Sequence, residues 1–233
     1  MDSTAFSIQS LIERLGVPVD LQLLTQALTH RSYAYEHGGT PNSERLEFLG
    51  DSVLGFVVTA HIHEVFADLD EDELTKIKAA VVSAKALASV ADPLGVGEFL
   101  RLGKGEEKTG GRSKPNLLAD AFEALLGAIY VSAGLEAAAA VVRKFIFPLL
   151  EDPKSLLANS DPKTALQEAL QQLGEPTVTY VTEAEGPDHD KFYRSQALLG
   201  DTVLGAGAGR SKKASETDAA TVALTELRKQ GRI

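Results

Sequence analysis

Two clusters of acidic residues are the part of this sequence best suited to do chemistry. The first contains Glu44, Glu47 and Asp51, and the second contains Asp120 and Glu123, each within an otherwise apolar segment. Residues three and four apart lie on the same face of a helix, with Cβ atoms roughly 5 to 6 Å apart. The spacing therefore predicts two acidic stripes on two helices.

Such stripes are favourable only beside a cation. Burying several ionised carboxylates side by side is strongly unfavourable unless they are paired or coordinate a metal. No lysine lies within either cluster, and Arg45 lies roughly 100° around the helix from Glu44. Oxygen ligands suit Mg²⁺ or Mn²⁺, whereas Zn²⁺ favours His or Cys, and the chain has no Cys. Together the clusters predict one magnesium site, and solvated helix faces are the alternative.

The composition is typical of a globular protein. Of the 233 residues, 44% are hydrophobic, which is compatible with one or two domains. The lack of Cys argues against a disulfide-stabilised secreted scaffold, and the N-terminus lacks the features of a signal peptide. No stretch approaches the roughly 18 apolar residues that span a bilayer. We therefore expect a cytoplasmic protein with no membrane partner.

The formal net charge of −10 is unfavourable for binding nucleic acid, because phosphate contacts depend on Lys and Arg. The negative excess lies mainly before residue 161, where the acidic clusters lie. Any surface that binds nucleic acid must therefore be local.

The chain divides into two parts of different pattern. Helical periodicity dominates from residue 11 to residue 150, and residues 151–160 then break it with Pro and polar residues, as a linker does. We expect an all-helical domain over 1–150, a linker over 151–160 and a second domain over 161–231.

The second part has the pattern of an α+β domain. Asp161 and Pro162 form a helix-start signal before residues 164–173, and a final helical segment covers 212–229. Between these helices, turn signals separate three extended runs, at 177–182, 191–199 and 202–205. The predicted order is α-β-β-β-α.

The start of the final helix is a candidate phosphate site. Lys212 and Lys213 follow Ser211 at a helix end that already bears partial positive charge, so an anion should compensate there. Free backbone N–H groups and the two lysines would form a phosphate clamp, and we expect the glycine-rich residues 205–209 to allow close approach of the backbone. A solvated basic turn is the alternative.

These motifs resemble a known family. Residues 44–51 (Glu-Arg-Leu-Glu-Phe-Leu-Gly-Asp) and 120–127 (Asp-Ala-Phe-Glu-Ala-Leu-Leu-Gly) resemble the ribonuclease III catalytic domain, and Thr-His-Arg-Ser at 29–32 resembles its early helix motif. The α-β-β-β-α part resembles a double-stranded-RNA-binding domain. The resemblance covers nearly the whole chain. It implies an all-α endonuclease domain followed by an α+β RNA-binding domain.

The resemblance also implies roles for individual residues. Glu47, Asp51, Asp120 and Glu123 would be the catalytic carboxylates, and Glu47, Asp120 and Glu123 would bind the metal. By role, the other implied positions are the accessory acids Glu44 and Glu71, the RNA contacts Thr164, Gln167, Glu168, His189, Lys212 and Lys213, and Phe48 at a dimer interface.

The implied activity is a Mg²⁺-dependent endoribonuclease, with Mn²⁺ able to substitute. A homodimer would cut double-stranded RNA to staggered products with 5′-phosphate and 3′-hydroxyl ends, in the processing of ribosomal, messenger and transfer RNA. Two positions depart from the family pattern. Ser43 stands where Asn is common, with Asn42 one place earlier, and Asp188 and Asp190 flank His189, which predicts weak, salt-sensitive RNA binding.

Three alternatives stay open. A metal phosphohydrolase could use His30, His61, His63 and the His189–Asp190 pair, although His61 and His63 are two apart and cannot share a helix face. A non-catalytic regulator could bind duplex RNA without cutting it. The glycine-rich residues 103–114 are either a mobile arm that touches RNA or a solvated loop.

Overall fold

The computed structural model describes residues 8–153, 156–157, 161–187 and 190–233. The chain separates into two compact units, Met1–Glu151 and Asp152–Ile233. In the described residues, the first unit is helical and the second combines helices with a three-stranded antiparallel sheet. This architecture confirms the predicted fold class.

The described helices of the first unit follow one another closely. They are α1 (Ile8–Leu15), α2 (Leu21–Ala27), α3 (Arg31–Glu36), α4 (Glu44–Val65), α5 (Glu71–Val81), α6 (Ala84–Ala91), α7 (Val96–Phe99), α8 (Lys104–Lys108) and α9 (Pro115–Phe145). Short 3₁₀ turns cover Gly111–Ser113 and Phe147–Leu150. The two longest helices, α4 and α9, pack against each other at the centre of the unit.

Two glycines allow α4 and α9 to touch backbone to backbone. A Cβ atom on Gly50 of α4 would lie 1.7 Å from the backbone oxygen of Glu123, and one on Gly127 of α9 would lie 2.1 Å from that of Leu46. Any larger residue at either position would force the helices apart. The crossing therefore brings the acidic part of α4 directly against the acidic part of α9.

Helix α9 corrects the expectation that no segment reaches membrane-spanning length. It is long and apolar enough to cross a bilayer by length and composition alone, and half of its most apolar window is buried inside the protein. Its backbone leaves the helical conformation at Gly134, where φ is 83°. It also carries Asp120 and Glu123 and packs against α4 and α6. These are the features of a core helix.

The second unit has the predicted α-β-β-β-α order. Its elements are α10 (Pro162–Gln172), β1 (Thr179–Glu185), β2 (Phe192–Leu199), β3 (Thr202–Gly209) and α11 (Lys212–Lys229). The sheet order is β1-β2-β3 with antiparallel pairing. The Asp161 carboxylate accepts a hydrogen bond from the Thr164 backbone and caps α10, as its sequence signal predicts.

The glycines of β3 have a different role from the expected one. A Cβ atom on Gly205 would lie 2.5 Å from the backbone oxygen of Ala219, and one on Gly207 would lie 2.1 Å from the nitrogen of the same residue. These glycines let β3 pack closely on α11, so the close approach is to a helix rather than to a ligand. The strand also continues to Gly209 instead of ending at residue 205.

Candidate functional site

The carboxylates of Glu47, Asp120 and Glu123 come together where α4 crosses α9. One oxygen from each lies within 4.8 Å of the others, and all three residues are half-buried. Among the residues that the structure describes, this is the one group of His and acidic side chains close enough to hold a metal ion. The close contact at Gly50 and Gly127 sets the distance between its members.

Burial and crowding oppose the ionisation of Glu123. Its pKa rises to about 7, chiefly because the side chain is buried and then because of the negative charges of Asp51, Asp120 and Glu47. A carboxyl group with this pKa is partly protonated near neutral pH. A bound cation would reverse the balance by stabilising the ionised form.

The other two carboxyl groups are perturbed in the same direction. Burial raises the pKa of Glu47, and the charges of Asp120 and Glu44 raise it further. Burial also raises the pKa of Asp120, although the neighbouring His30 and Arg31 oppose that increase. Three half-buried acids thus share one site without a basic group at ion-pair distance in the described chain. Three oxygen donors in this setting fit a hard divalent cation such as Mg²⁺ or Mn²⁺.

A solvent-open cleft of about 740 Å³ leads to this cluster. Glu47 and Asp120 form part of its lining, together with Arg31, Tyr35 and Asn116. Tyr35 is 90% exposed at the rim. The cleft gives a large substrate direct access to Glu47 and Asp120.

Asn42 caps the start of α4. The backbone nitrogen of Glu44 donates to the Asn42 side-chain oxygen at 3.2 Å, and the Asn42 amide donates to the Glu44 carboxylate at 3.0 Å. Ser43 occupies the cap position but its side chain makes no capping bond. Asn42 therefore performs the capping contact from one place earlier. Glu44 also forms an exposed ion pair with Arg31 at 3.7 Å.

The remaining acidic positions lie at different distances from the cluster. Asp51 is exposed on α4, and its charge acts on Glu123, so it lies beside the three carboxylates. Glu71 opens α5 and accepts a hydrogen bond from the Thr75 hydroxyl at 3.1 Å. The structure does not bring Glu71 into the three-carboxylate group.

The Thr-His-Arg-Ser motif holds neighbouring backbone in place. The His30 ring contacts the Ser32 hydroxyl at 2.8 Å, and the same hydroxyl accepts from the backbone nitrogen of Gly103 at 2.9 Å. The backbone of Lys104 donates to the Glu36 carboxylate at 2.9 Å. Ser32 of the motif and Glu36 of α3 thereby hold the start of residues 103–114 beside the cleft.

Residues 103–114 contain α8 and a 3₁₀ turn, and most of them are exposed, so their contact with RNA stays a prediction. Lys114 pairs with Glu106, and Arg112 pairs with Glu107 at 2.7 Å. Arg112 also donates to the backbone oxygen of Gly97 at 2.9 Å. Two of the four basic side chains of this segment are therefore engaged within the protein.

The histidines do not form a site of their own in the described residues. The His61 ring stacks on Phe147 with ring centroids 3.7 Å apart, which is a packing contact. His30 caps α3, and His63 is exposed. His189 lies outside the described residues. The geometry therefore does not favour the histidine-based phosphohydrolase.

Helix α4 presents an exposed aromatic stripe. Phe48 is 78% exposed, and Phe56, eight residues further along the helix, is 61% exposed. Large apolar side chains at this exposure are candidates for an interface. The sequence interpretation included Phe48 but missed Phe56, although its helical spacing from Phe48 was a usable signal.

Five of the six implied RNA contacts of the second unit lie on its two helices, and the sixth, His189, lies outside the described residues. Thr164 and Glu168 are exposed on α10, and Lys212 and Lys213 are exposed at the start of α11. The Gln167 side chain is partly engaged, because its oxygen accepts from the backbone of Val178 at 2.9 Å. The Ser211 hydroxyl accepts from the backbone nitrogen of Ala214, so this donor of the predicted phosphate clamp is already satisfied.

Comparison with known proteins gives the same division of the chain. A ribonuclease-III-like family model matches residues 20–150, and a double-stranded RNA binding motif model matches residues 162–227. Ribonuclease 3 of Thermobifida fusca is 49% identical over 223 residues, which is 95% of this chain and 92% of that protein. Ribonuclease 3 of Streptomyces coelicolor is 49% identical over 229 residues, or 97% of this chain and 82% of that protein.

Solved structures agree for the first unit. The nuclease domain of ribonuclease III from Campylobacter jejuni is similar with a TM-score of 0.58 and 40% identity, over 61% of this chain and 97% of that domain. That domain shows structural flexibility in a region involved in dimer formation.

Proposed function

Since the chain belongs to the ribonuclease III family and is an endoribonuclease of double-stranded RNA, we propose that it cuts RNA in a Mg²⁺-dependent reaction at Glu47, Asp120 and Glu123. The observation that carries this proposal is the approach of three half-buried carboxylate oxygens to within 4.8 Å of one another. Mn²⁺ can substitute, because it favours the same oxygen donors.

Each acidic residue has a proposed part in the hydrolysis. Glu47, Asp120 and Glu123 would hold the ion. When bound, Mg²⁺ supplies an activated water molecule and neutralises charge on the phosphodiester. Asp51, exposed beside Glu123, would position the water by accepting its hydrogen bond. Glu44, which lines the cleft, and Glu71, which opens α5, would act as accessory acids. The products would carry 5′-phosphate and 3′-hydroxyl ends.

We propose that two copies of the chain act together on one duplex. One acidic cluster cuts one strand, so a two-fold dimer brings two clusters to opposite strands and gives staggered ends. The exposed Phe48 and Phe56 support this proposal, because aromatic side chains are enriched in the buried centres of interfaces. The dimer-forming region of the Campylobacter jejuni nuclease domain is consistent with it.

The second unit would bind the duplex by its shape. Thr164, Gln167 and Glu168 of α10, together with His189, would meet successive minor grooves, while Lys212 and Lys213 of α11 would contact phosphates of the major groove between them. Such domains span roughly 16 base pairs and read little sequence. We propose that the natural substrates are ribosomal, messenger and transfer RNA precursors in the cytoplasm.

The test is incubation of the purified protein with end-labelled duplex RNA, single-stranded RNA and duplex DNA, each with Mg²⁺, Ca²⁺ or EDTA. We expect staggered cutting of duplex RNA alone, and only with Mg²⁺, with 5′-phosphate ends. Equal cutting in EDTA would refute the metal-dependent mechanism. Tight binding of duplex RNA without cleavage would indicate the non-catalytic regulator instead.

A further inference from the structure

The second unit contains a nearly buried carboxylate for which the cleavage reaction has no use. Glu216 lies on α11 with only 11% of its side-chain surface exposed. Lys163 donates to one carboxylate oxygen at 2.6 Å, and the Thr182 hydroxyl donates to the other at 3.4 Å. The Lys212 ammonium lies 3.9 Å from the carboxylate. This carboxylate therefore joins α10, β1 and the start of α11.

A row of hydroxyl groups extends the same connection. The Thr182 hydroxyl contacts that of Ser195 at 2.7 Å, and Ser195 contacts Ser215 at 2.7 Å. The Ser215 hydroxyl then donates to the backbone oxygen of Lys212 at 3.0 Å. The row extends from Thr182, beside Glu216, to the backbone of Lys212, a proposed RNA contact whose ammonium also lies 3.9 Å from Glu216.

Lys163 is partly exposed, and two contacts hold its ammonium group. Its ammonium contacts Glu216 and also lies 4.5 Å from the centre of the Tyr180 ring, a cation–π contact. Lys163 directly precedes Thr164, another proposed RNA contact. The ion pair with Glu216 therefore links the helix start that carries Thr164 to the helix start that carries Lys212.

We propose that Glu216 is a positioning residue for RNA binding, which fixes the spacing between the start of α10 and the start of α11. A duplex presents its grooves and phosphates at a fixed spacing, so two contact points held at that spacing bind without the cost of ordering them. This inference rests on the proposed function, because it takes Thr164 and Lys212 as RNA contacts.

A simple charge effect would have the opposite sign. Glu216 places a negative charge beside a lysine that would meet phosphate, and removing it would strengthen binding if the residue acted only through its charge. If Glu216 positions the two helix starts, its removal weakens binding even though the surface becomes more positive. The direction of the change in affinity thus separates the two effects.

The test measures binding of the full chain to fluorescent duplex RNA by anisotropy, with Ca²⁺ in place of Mg²⁺ and over a range of salt. We expect Glu216→Gln to weaken binding about fivefold, and to lower the slope of log affinity against log salt by about 1, as loss of one phosphate contact does. A residue with a purely structural role would lower the melting temperature and leave the salt slope unchanged.

The matched control is Glu226→Gln, which removes an equal charge from the other end of α11, where Glu226 pairs with Lys229 at 2.8 Å. We expect its affinity and salt slope to equal those of the parent protein. Lys163→Met provides a second route to the same contact. Lys163→Met should also weaken RNA binding. The affinity of the Lys163→Met plus Glu216→Gln double variant should be no lower than that of the single variant with the lower affinity, because both changes break the same ion pair.

The outcomes separate this inference from the proposed function. Unchanged affinity and salt slope in the Lys212→Ala plus Lys213→Ala variant would overturn the RNA contacts themselves. If that variant binds weakly while Glu216→Gln binds as well as the parent or better, the positioning role of Glu216 is overturned alone. Should Glu216→Gln not fold, unchanged affinity in Lys163→Met would overturn it equally.

Discussion

The two units of the chain place glutamate in opposite surroundings. Glu123 lies among other carboxylates, and its pKa rises to about 7 because of burial and three negative neighbours. Glu216 is more deeply buried, yet it has two lysines and a hydroxyl group around its carboxylate. One carboxylate lacks a counter-ion within the described residues of its unit, and the other has its counter-ions built in.

The comparison shows how to separate a binding group from a structural one. The ionised form of a half-buried acid without a neighbouring cation is favourable only when a cation comes from outside, so such an acid is a candidate site for a cationic ligand. An acid with internal cations has no such need, and it stabilises the arrangement of its partners. The net charge of −10 does not distinguish these cases, because it counts both residues alike.

The largest expected effect is the loss of cleavage in Glu123→Gln. Removing one metal ligand should lower the cleavage rate by roughly 10³-fold, since the ion supplies several kcal/mol of transition-state stabilisation. Duplex binding should persist. The control is Glu136→Gln on the same helix, where Glu136 is 89% exposed and should be dispensable. Single-turnover assays at millimolar Mg²⁺ would measure the cleavage rate, and a normal rate in Glu123→Gln would remove the residue from the mechanism.

The second-largest expected effect is a loss of stability at the crossing of α4 and α9, where the acidic residues come together. Gly50→Ala should destabilise the first unit by about 3 kcal/mol, because the new Cβ atom overlaps backbone of α9. Gly55→Ala on the same helix meets nothing closer than the Lys78 side chain, at 3.8 Å, and should be neutral or slightly stabilising. Denaturant unfolding would compare them. Equal stability of the two variants would contradict the close crossing.

A smaller effect is expected at the basic start of α11. Lys212→Ala plus Lys213→Ala should weaken duplex binding by about tenfold and reduce the salt slope by about 2, as two phosphate contacts are lost. Substitution of Lys229 at the far end of the helix by Ala should change neither quantity. Anisotropy titrations at several salt concentrations would decide, and parallel plots for parent and double variant would exclude the clamp.

The smallest effect is a pH dependence of stability. The pKa of Glu123 rises from 4.5 to about 7 in the folded protein, so between these pH values the folded state binds more protons than the unfolded state. In EDTA, this residue therefore makes stability fall as pH rises from 4.5 to 7. Mg²⁺ should raise the melting temperature more at pH 8 than at pH 5, because the ion binds the deprotonated acids.

The control for the pH experiment is Glu123→Gln, which should lack this part of the pH dependence. A melting temperature that Mg²⁺ raises equally at both pH values would show that Glu123 does not titrate with metal binding.

Local patterns made much of this structure predictable. The spacings of Glu44, Glu47 and Asp51, and of Asp120 and Glu123, place carboxylates on helix faces, and helical periodicity depends only on nearby residues. The α-β-β-β-α order follows from turn signals of equally short range. The predicted final helix, 212–229, has the same limits as α11.

Contacts between distant residues were not predictable in this way. Gly50 and Gly127 look like ordinary helix glycines until α4 and α9 cross, and the glycines of β3 pack on a helix that begins only later in the chain. Glu216 and Lys163 are 53 residues apart, and the sequence around each predicts only a solvated charged side chain. Residues 103–114 have the composition of a loop, but tertiary hydrogen bonds order them.

The backbone contact between α4 and α9 has a consequence for how the first unit opens. With no layer of side chains between the helices at Gly50 and Gly127, they cannot slide apart by a change of rotamer. The acidic cluster should therefore exist only while the whole core is intact. Amide hydrogens at the crossing should exchange with solvent only through cooperative unfolding of the unit, so no partly opened form would retain the cluster.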